Sequence, residues 1–462
     1  MTTNDLQACA DDPTTRVLVP AGMLGSGFPT HTIERGISLG AHVIAIDGGS
    51  TDSGPYYLGT ASPKTTEEAV HRDLDVLVPA ALGAGIPLVV GSCGTCGADA
   101  GVDWIAGIVE RIAAARDLHP RIAQIYSEQD PAVLQDRLAA GRIAPLDPAG
   151  PLDAATIAAC EHVVGLMGHH PIAEAVEQGA QIVLAGRATD TAVLSAVPLL
   201  RGCPPGPTWH AAKIAECGGM CTVNPRSGGV LLTIDADGFT VEPLDPATAC
   251  TPRSVAAHMM YENADPFRMR EPDGTLDASD ATYRALDDRR VRVTGSRFTH
   301  QPLSMKLEGS AVAGYRTMSL VGIRDPHIVA AMDTWVETFD AFVNDRIRQV
   351  LRLAPEEYSL ELRCYGWNAV LGSREPADVP AREVGVVLTA TANDQATATR
   401  IAKFANPYLL HLPLPGMDHL PSFAFAASPP EMPCGAMYEF RLQHAVELDG
   451  PLDLVRTVIG DL

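Results

Sequence analysis

"IPLVVGSCGTCGADAGVDWIAGIVERIAAAR" (residues 86–116) runs from an apolar stretch through a glycine-rich turn into a segment of helical period. An unbroken apolar run suits a strand buried on both faces, and apolar residues at three- and four-residue spacing suit the helix that covers it. The same unit recurs through the first half. "RVLVPAG" leads into "THTIERGISLGA", "HVIAIDGGS" follows, "RIAQIYS" precedes "PAVLQDRLAAG", "HVVGLMG" precedes "PIAEAVEQGA", and "QIVLAGR" precedes "TAVLSAVPLL". This alternation predicts an α/β fold: a doubly wound, mostly parallel sheet over residues 1–225, Rossmann-like in build, with a ligand crevice at the carboxyl ends of its strands.

Beyond residue 225 the pattern changes. "GGVLLTIDADGFTVEPL" reads as a hairpin about Asp237-Gly238 and "RRVRVTGSRF" as a further strand. One strand, "YRTMSLVGIRDP", a long amphipathic helix over 327–351, two more strands and a helix follow, which predicts a smaller α+β domain over 226–462, with a ferredoxin-like arrangement in view. The apolar stripe of the long helix is expected to be core packing. "ENADPFRMREPDGTLDASD" (262–280) reads as a surface connection.

The chain has 462 residues, a formal charge of −22 and 10 cysteines without framework spacing. Such a charge repels phosphate backbones and anionic lipid, so neither nucleic acid nor membrane is expected as a partner. The start, "MTTNDLQACADDPTTR", lacks a basic segment and an apolar segment, and no apolar run approaches the ~18 residues of a membrane span. Reduced thiols and a cytoplasmic location are expected.

Candidate chemistry gathers in four strand-end turns and one helix. In the 91–101 turn, Gly91, Gly94 and Gly97 with Ser92 would expose backbone N–H groups at the start of a helix near Val102, a place for an anionic group. Its spacing is not the dinucleotide pattern GxGxxG. Cys93 and Cys96 could instead form half a zinc site with Cys217 and Cys221, act as a redox pair, or merely fill space in a turn without a ligand. In "DGGSTDSGP", Ser50, Thr51 and Asp52 are expected to bind substrate, and Asp47 with Asp52 could hold Mg²⁺ or divide acid and base work; a self-bonded turn explains the same residues. No cofactor is assigned. Arg187 would grip a substrate carboxylate, Thr189 would support it, and Asp190 would act as a base; an internal Arg–Asp pair with a helix cap is the structural alternative. His169, beside His170, would be a neutral imidazole able to accept a proton, or a core histidine. In "WHAAKIAECGGMC", His210, Lys213 and Glu216 or Cys217 share a helix face, so Lys213 and Glu216 are expected to be catalytic unless they form an ordinary exposed pair.

"IDGGSTDSGPYYLG", "VVGSCGTCGADAGVDW", "LAGRATDTAVLSA", "AKIAECGGMC", "CTPRSVAAHMMYENADPFR", "RRVRVTGSRF" and "GYRTMSLVGIRDP" occur in the order in which the acyclic-terpene-utilisation (AtuA-like) family carries similar segments. The chain resembles that family from about residue 15 to 445. The resemblance implies cytosolic metabolism of small branched or unsaturated acids or their CoA thioesters, with a small companion protein among the partners. It also implies that Cys93 and Cys96 stand where small residues are common. The function expected is a hydro-lyase acting on a small anionic substrate: an unsaturated or hydroxy carboxylic acid, free or as a CoA thioester, with a C5 dicarboxylate such as mesaconate in view. The alternative is a non-catalytic, acyl-CoA-binding subunit of a carboxylase or lyase system. A homo-oligomer is expected.

Overall fold

Leu88–Gly91 is a strand buried along its length, and Asp99–Arg116 is the helix that follows it. In the computed structural model, which describes residues 14–226, 228–376 and 381–462, that strand lies at the centre of five parallel ones. Their order across the sheet is Thr15–Val19, Val43–Asp47, Leu88–Gly91, Ile182–Ala185 and Arg121–Tyr126. Period-two alternation sends their side chains to two separate cores. Val17, Val43, Val89 and Val183 pack with the helices His170–Glu177, Asp190–Leu200 and Pro205–Ala215. Leu18, Ile44, Val90 and Leu184 pack with Thr30–Ser38, Glu67–Ala84 and Asp99–Arg116. The sheet is therefore doubly wound, as expected.

Antiparallel strands extend it to ten. Val230–Ile234, Gly238–Pro243, Val291–Thr294 and Thr282–Ala285 continue from Thr15–Val19, and Arg456–Asp461 flanks Arg121–Tyr126. The sheet is thus mixed, with a parallel centre. The division expected at residue 225 does not fall there: one compact unit runs to Ala311 and resumes at Phe440–Leu462, and the other is Val312–Glu439. The hairpin about Asp237-Gly238 buries Leu232, Phe239 and Val241 in the first unit's core, which holds that segment in the same sheet. His162–Leu166, read as a parallel strand, pairs antiparallel with Lys306–Ser310 instead, because Arg121–Tyr126 and Ile182–Ala185 bond each other directly and leave no slot between them.

The strand Ser304–Ile323, in the second unit from Val312 onward, the helix Met332–Arg346, the strands Tyr358–Tyr365 and Val384–Ala392, the helix Gln395–His411 and the strand Met432–Glu447, in that unit as far as Glu439, follow as βαββαβ. Their sheet order is second, third, first, fourth, the ferredoxin-like arrangement. Met332, Trp335, Phe339, Val343 and Ile347 form the buried stripe of the long helix, which is core packing as expected. Among the described residues no helix is long and apolar enough to cross a membrane.

Candidate functional site

At the carboxyl edge of the parallel strands the charged groups converge on Arg187. Asp47 closes one strand, Gly91 the next, and Arg187 stands two residues past Ala185. The guanidinium is 5% exposed, and its donors reach Glu308 Oε2 at 3.2 Å, Ser92 Oγ and the Ala188 carbonyl at 3.3 Å each, and Thr51 Oγ1 at 3.5 Å, with Asp190 Oδ1 also 3.5 Å away. Burial opposes its charge, but Glu308, Asp190 and Asp47 together raise it. Four N–H contacts are spent inside the protein, so Arg187 organises carboxylates rather than offering a free fork. Glu308, which burial alone would raise, is brought down to about 2 by Arg187 and by Lys306 at 2.9 Å.

A second layer of carboxyls lies beside this ion pair. Thr189 caps the helix Asp190–Leu200 through its hydroxyl, which places Asp190 in the first turn with 31% of its side chain exposed. Asp190 and Asp47 lie close enough for each carboxyl to act on the other's ionisation. Burial and the Asp190 carboxylate hold Asp47 well above the ordinary range; the surrounding protein raises Asp190 as well, against the pull of Arg187. Lys213 and Glu216, 4% and 6% exposed, stand 2.5 Å apart at the end of the buried helix Pro205–Ala215. They are therefore not an exposed pair. Burial pushes Glu216 up to about 8, Lys213 opposing and Asp190 adding to the shift. Glu271 accepts from Thr191 at 2.7 Å and from Thr189 at 3.2 Å, and burial pushes it also up to about 8.

The glycine-rich turn differs from the expected anion cradle. The N–H groups of Ser92, Cys93, Thr95 and Gly97 donate to carbonyls of Gly186, Ala185, Ser92 and Cys93. The helix starts at Asp99, earlier than Val102, and its first N–H donates to the Glu128 carboxylate at 3.0 Å, so the chain's own acid occupies the helix pole. What the turn presents is Ser92 Oγ, aimed at Arg187 from a left-handed backbone with φ 41°. Gly94 (φ 70°) and Gly97 (φ 67°) allow close approach: a Cβ at Gly94 would stand 2.9 Å from Cα of Gly101, and one at Gly97 would enter the Arg187 backbone.

Cys93 and Cys96 are buried, and burial raises both thiols. Neither belongs to a group of possible metal ligands among the described residues. Both thiols are enclosed by the turn, which packs against the Arg187 backbone at Gly97.

Of the other expected residues, Thr51 is drawn in, donating to Glu308 at 3.0 Å. Ser50 donates to Asp52 at 2.6 Å, and Asp52 lies exposed near Asp190, which it raises. His169 belongs to a separate group with His170 and Asp273. His210 bonds Ser296 and Tyr283 and is held low, to about 3, by burial. Glu271, Asp273, Lys306 and Glu308 escaped the sequence reading. The segment read as a surface connection is a hairpin, Arg268–Glu271 with Gly274–Asp277, that buries Glu271 and Asp273; its "PDG" is a turn signal. Lys306 and Glu308 alternate on one face of their strand, a spacing visible in "SMKLEG".

Comparison with curated proteins and with solved structures finds no match. The model of the acyclic terpene utilisation family protein AtuA matches residues 63–200 and 226–439. These segments hold the glycine turn, Arg187, Asp190, Glu271 and Glu308, and leave Asp47, Lys213 and Glu216 outside. The match covers well over half of the sequence, and the chain belongs to the acyclic terpene utilisation (AtuA) family.

Proposed function

We propose that this protein is a hydro-lyase that adds or removes water at a C=C bond next to the carbonyl of a small carboxylic acid, free or as its CoA thioester. The observation that supports it is buried Glu216, 2.5 Å from Lys213 and held at about 8, with the partly exposed Asp190 carboxylate near enough to raise it further. Neighbouring carboxyls with different environments are suited to opposite roles in proton transfer. Asp190, raised by its surroundings, is a stronger base than a free carboxylate and removes the proton next to the carbonyl. The C–H electrons become the double bond, the C–O bond breaks, and protonated Glu216 supplies the proton with which hydroxide leaves as water. With Glu216 neutral, the Lys213 ammonium faces the developing enolate oxygen. Arg187, occupied by Glu308, Ser92 and Thr51, is a positioning residue in this scheme.

The test is a screen of purified protein, with and without a small companion protein, against unsaturated and hydroxy acids including C5 dicarboxylates and their CoA esters. Asp190→Asn should lower kcat by about 10²–10⁴-fold. In the dehydration direction the rate should fall as pH rises through about 8, where Glu216 loses its proton, and Glu216→Gln should remove that limb. Tight binding of CoA esters without turnover, unaffected by either substitution, would favour a non-catalytic acyl-binding subunit instead.

A further inference from the structure

A second cluster, outside the acid–base site, is built from three elements. His169 and His170 open the helix His170–Glu177, Asp273 sits at the turn between Arg268–Glu271 and Gly274–Asp277, and His300 ends the strand Arg297–His300. Register fixes their approach: Gly274 pairs with His300, and the Gln301 N–H donates to the Asp273 carbonyl at 2.9 Å. One donor atom each from His169, His170 and Asp273 lies within 4.8 Å of the others. His169 Nδ1 is 4.0 Å and His300 Nδ1 is 3.9 Å from Asp273 Oδ2. His169 and Asp273 are only 9% and 7% exposed, yet His169 Nδ1 and Asp273 Oδ1 have no hydrogen-bond partner. Native interiors rarely leave such atoms unpaired.

We propose that His169, His170 and Asp273 bind a divalent transition-metal ion of the Zn²⁺ class, with His300 closing a fourth position from the solvent side. The donors are imidazole nitrogen and carboxylate oxygen, which suit Zn²⁺, Co²⁺ and Fe²⁺ better than Mg²⁺ or Ca²⁺. Ligands at about 2.0–2.2 Å on a tetrahedral ion stand about 3.3 Å apart, so small side-chain rotations close the gaps. The other such cluster among the described residues, Glu216, Cys217 and His258, is less suited: Glu216 Oε1 is taken by Lys213 at 2.5 Å, and that ammonium also presses on His258. The hairpin that carries Asp273 also presents Glu271 to Thr189 and Thr191, so the ion would fix the turn behind the acid–base site.

The experiment is titration of metal-stripped protein with Co²⁺ alone, followed by absorption, then displacement by Zn²⁺. We expect about one ion per chain, visible d–d bands, and no near-ultraviolet thiolate charge-transfer band. His169→Gln and Asp273→Asn should each lose more than the roughly 10–100-fold that removal of an outer partner costs. His300→Ala, a change at a side chain 70% exposed, should weaken binding without disturbing the fold, and Cys217→Ala should change nothing. No Co²⁺ binding, affinity unchanged in all three of the first variants, or a thiolate band lost with Cys217→Ala would overturn the site.

Discussion

At Gly94 and its neighbours, backbone freedom decides what the side chains of the site can do. Gly94 has φ 70°, and a Cβ there would stand 2.9 Å from Cα of Gly101 in the helix that follows. Gly94→Val therefore imposes both a disfavoured backbone and a steric conflict, and should destabilise the protein by more than the ~1 kcal/mol typical of a point substitution. Because the same turn aims Ser92 Oγ at Arg187, activity should fall with it. Replacing Cys93 and Cys96 by Ala removes buried sulfur but no polar contact to Arg187, so it should cost stability modestly and leave activity within about twofold. Thermal melts and turnover of the two variants check this, and the reverse pattern would restore a reactive role for the thiols. The sequence legibly marked the glycines, Ser92, Arg187, Asp190, Lys213 and Glu216, because residue type and position at a strand end or helix face carry that information. It did not show that Arg187 is already occupied, since Glu308 lies 121 positions away and meets it only through the fold.

The strand Ser304–Ile323 shows how an element delivers charge to a buried place. Lys306 and Glu308 point to the same face by period-two alternation, and Glu308 bonds Arg187, Lys306 and Thr51. Its folded pKa, about 2, lies below the ordinary value of 4.5. The stabilisation it contributes is therefore present above about pH 4.5 and is lost as pH falls towards 2, because the folded state must then take up a proton on a paired carboxylate. Glu308→Gln should remove that part of the acid dependence and leave Arg187 buried with one partner fewer, lowering stability near pH 7 by about 3–5 kcal/mol. Denaturant melts of both proteins at pH 3 and pH 7 measure it; an equal loss of stability on acidification in wild type and variant would count against the ion pair. The βα elements themselves were readable, since each apolar run and helical stripe is local. The hairpin bearing Glu271 and Asp273 was missed because polar composition outweighed the turn signal in "EPDG", and only the tertiary fold makes those acids buried.

For the molecule as a whole, the second unit is an insertion in the first. The strand Ser304–Ile323 leaves the first unit after Ala311, and Met432–Glu447 re-enters it at Phe440 as its sheet neighbour. Both crossings fall inside strands rather than in linkers, which is why the boundary is not visible in composition. The return of Arg456–Asp461 to Arg121–Tyr126, the last of the parallel strands, is a pairing across more than half the chain, beyond any local pattern. Each unit has a core of its own: Trp335, Phe339, Val386 and Leu409 belong to one, whereas Trp209, Phe239, Leu442 and Val446 belong to the other. Leu442 packs on Gly309, and adjacent strands lie about 4.8 Å apart, so the two cut ends are within reach of a few residues. A chain in which 312–439 is replaced by a short Gly-Ser linker should therefore fold cooperatively. Every residue of the acid–base site, from Asp47 to Glu308, lies in the part retained. Its far-ultraviolet circular dichroism should keep the helix signal, and its thermal unfolding should be a single transition. If the linked protein instead aggregates, or melts without cooperativity while residues 312–439 fold alone, the first unit depends on the insertion, and the division into two independently cored units fails as a description of how the chain folds.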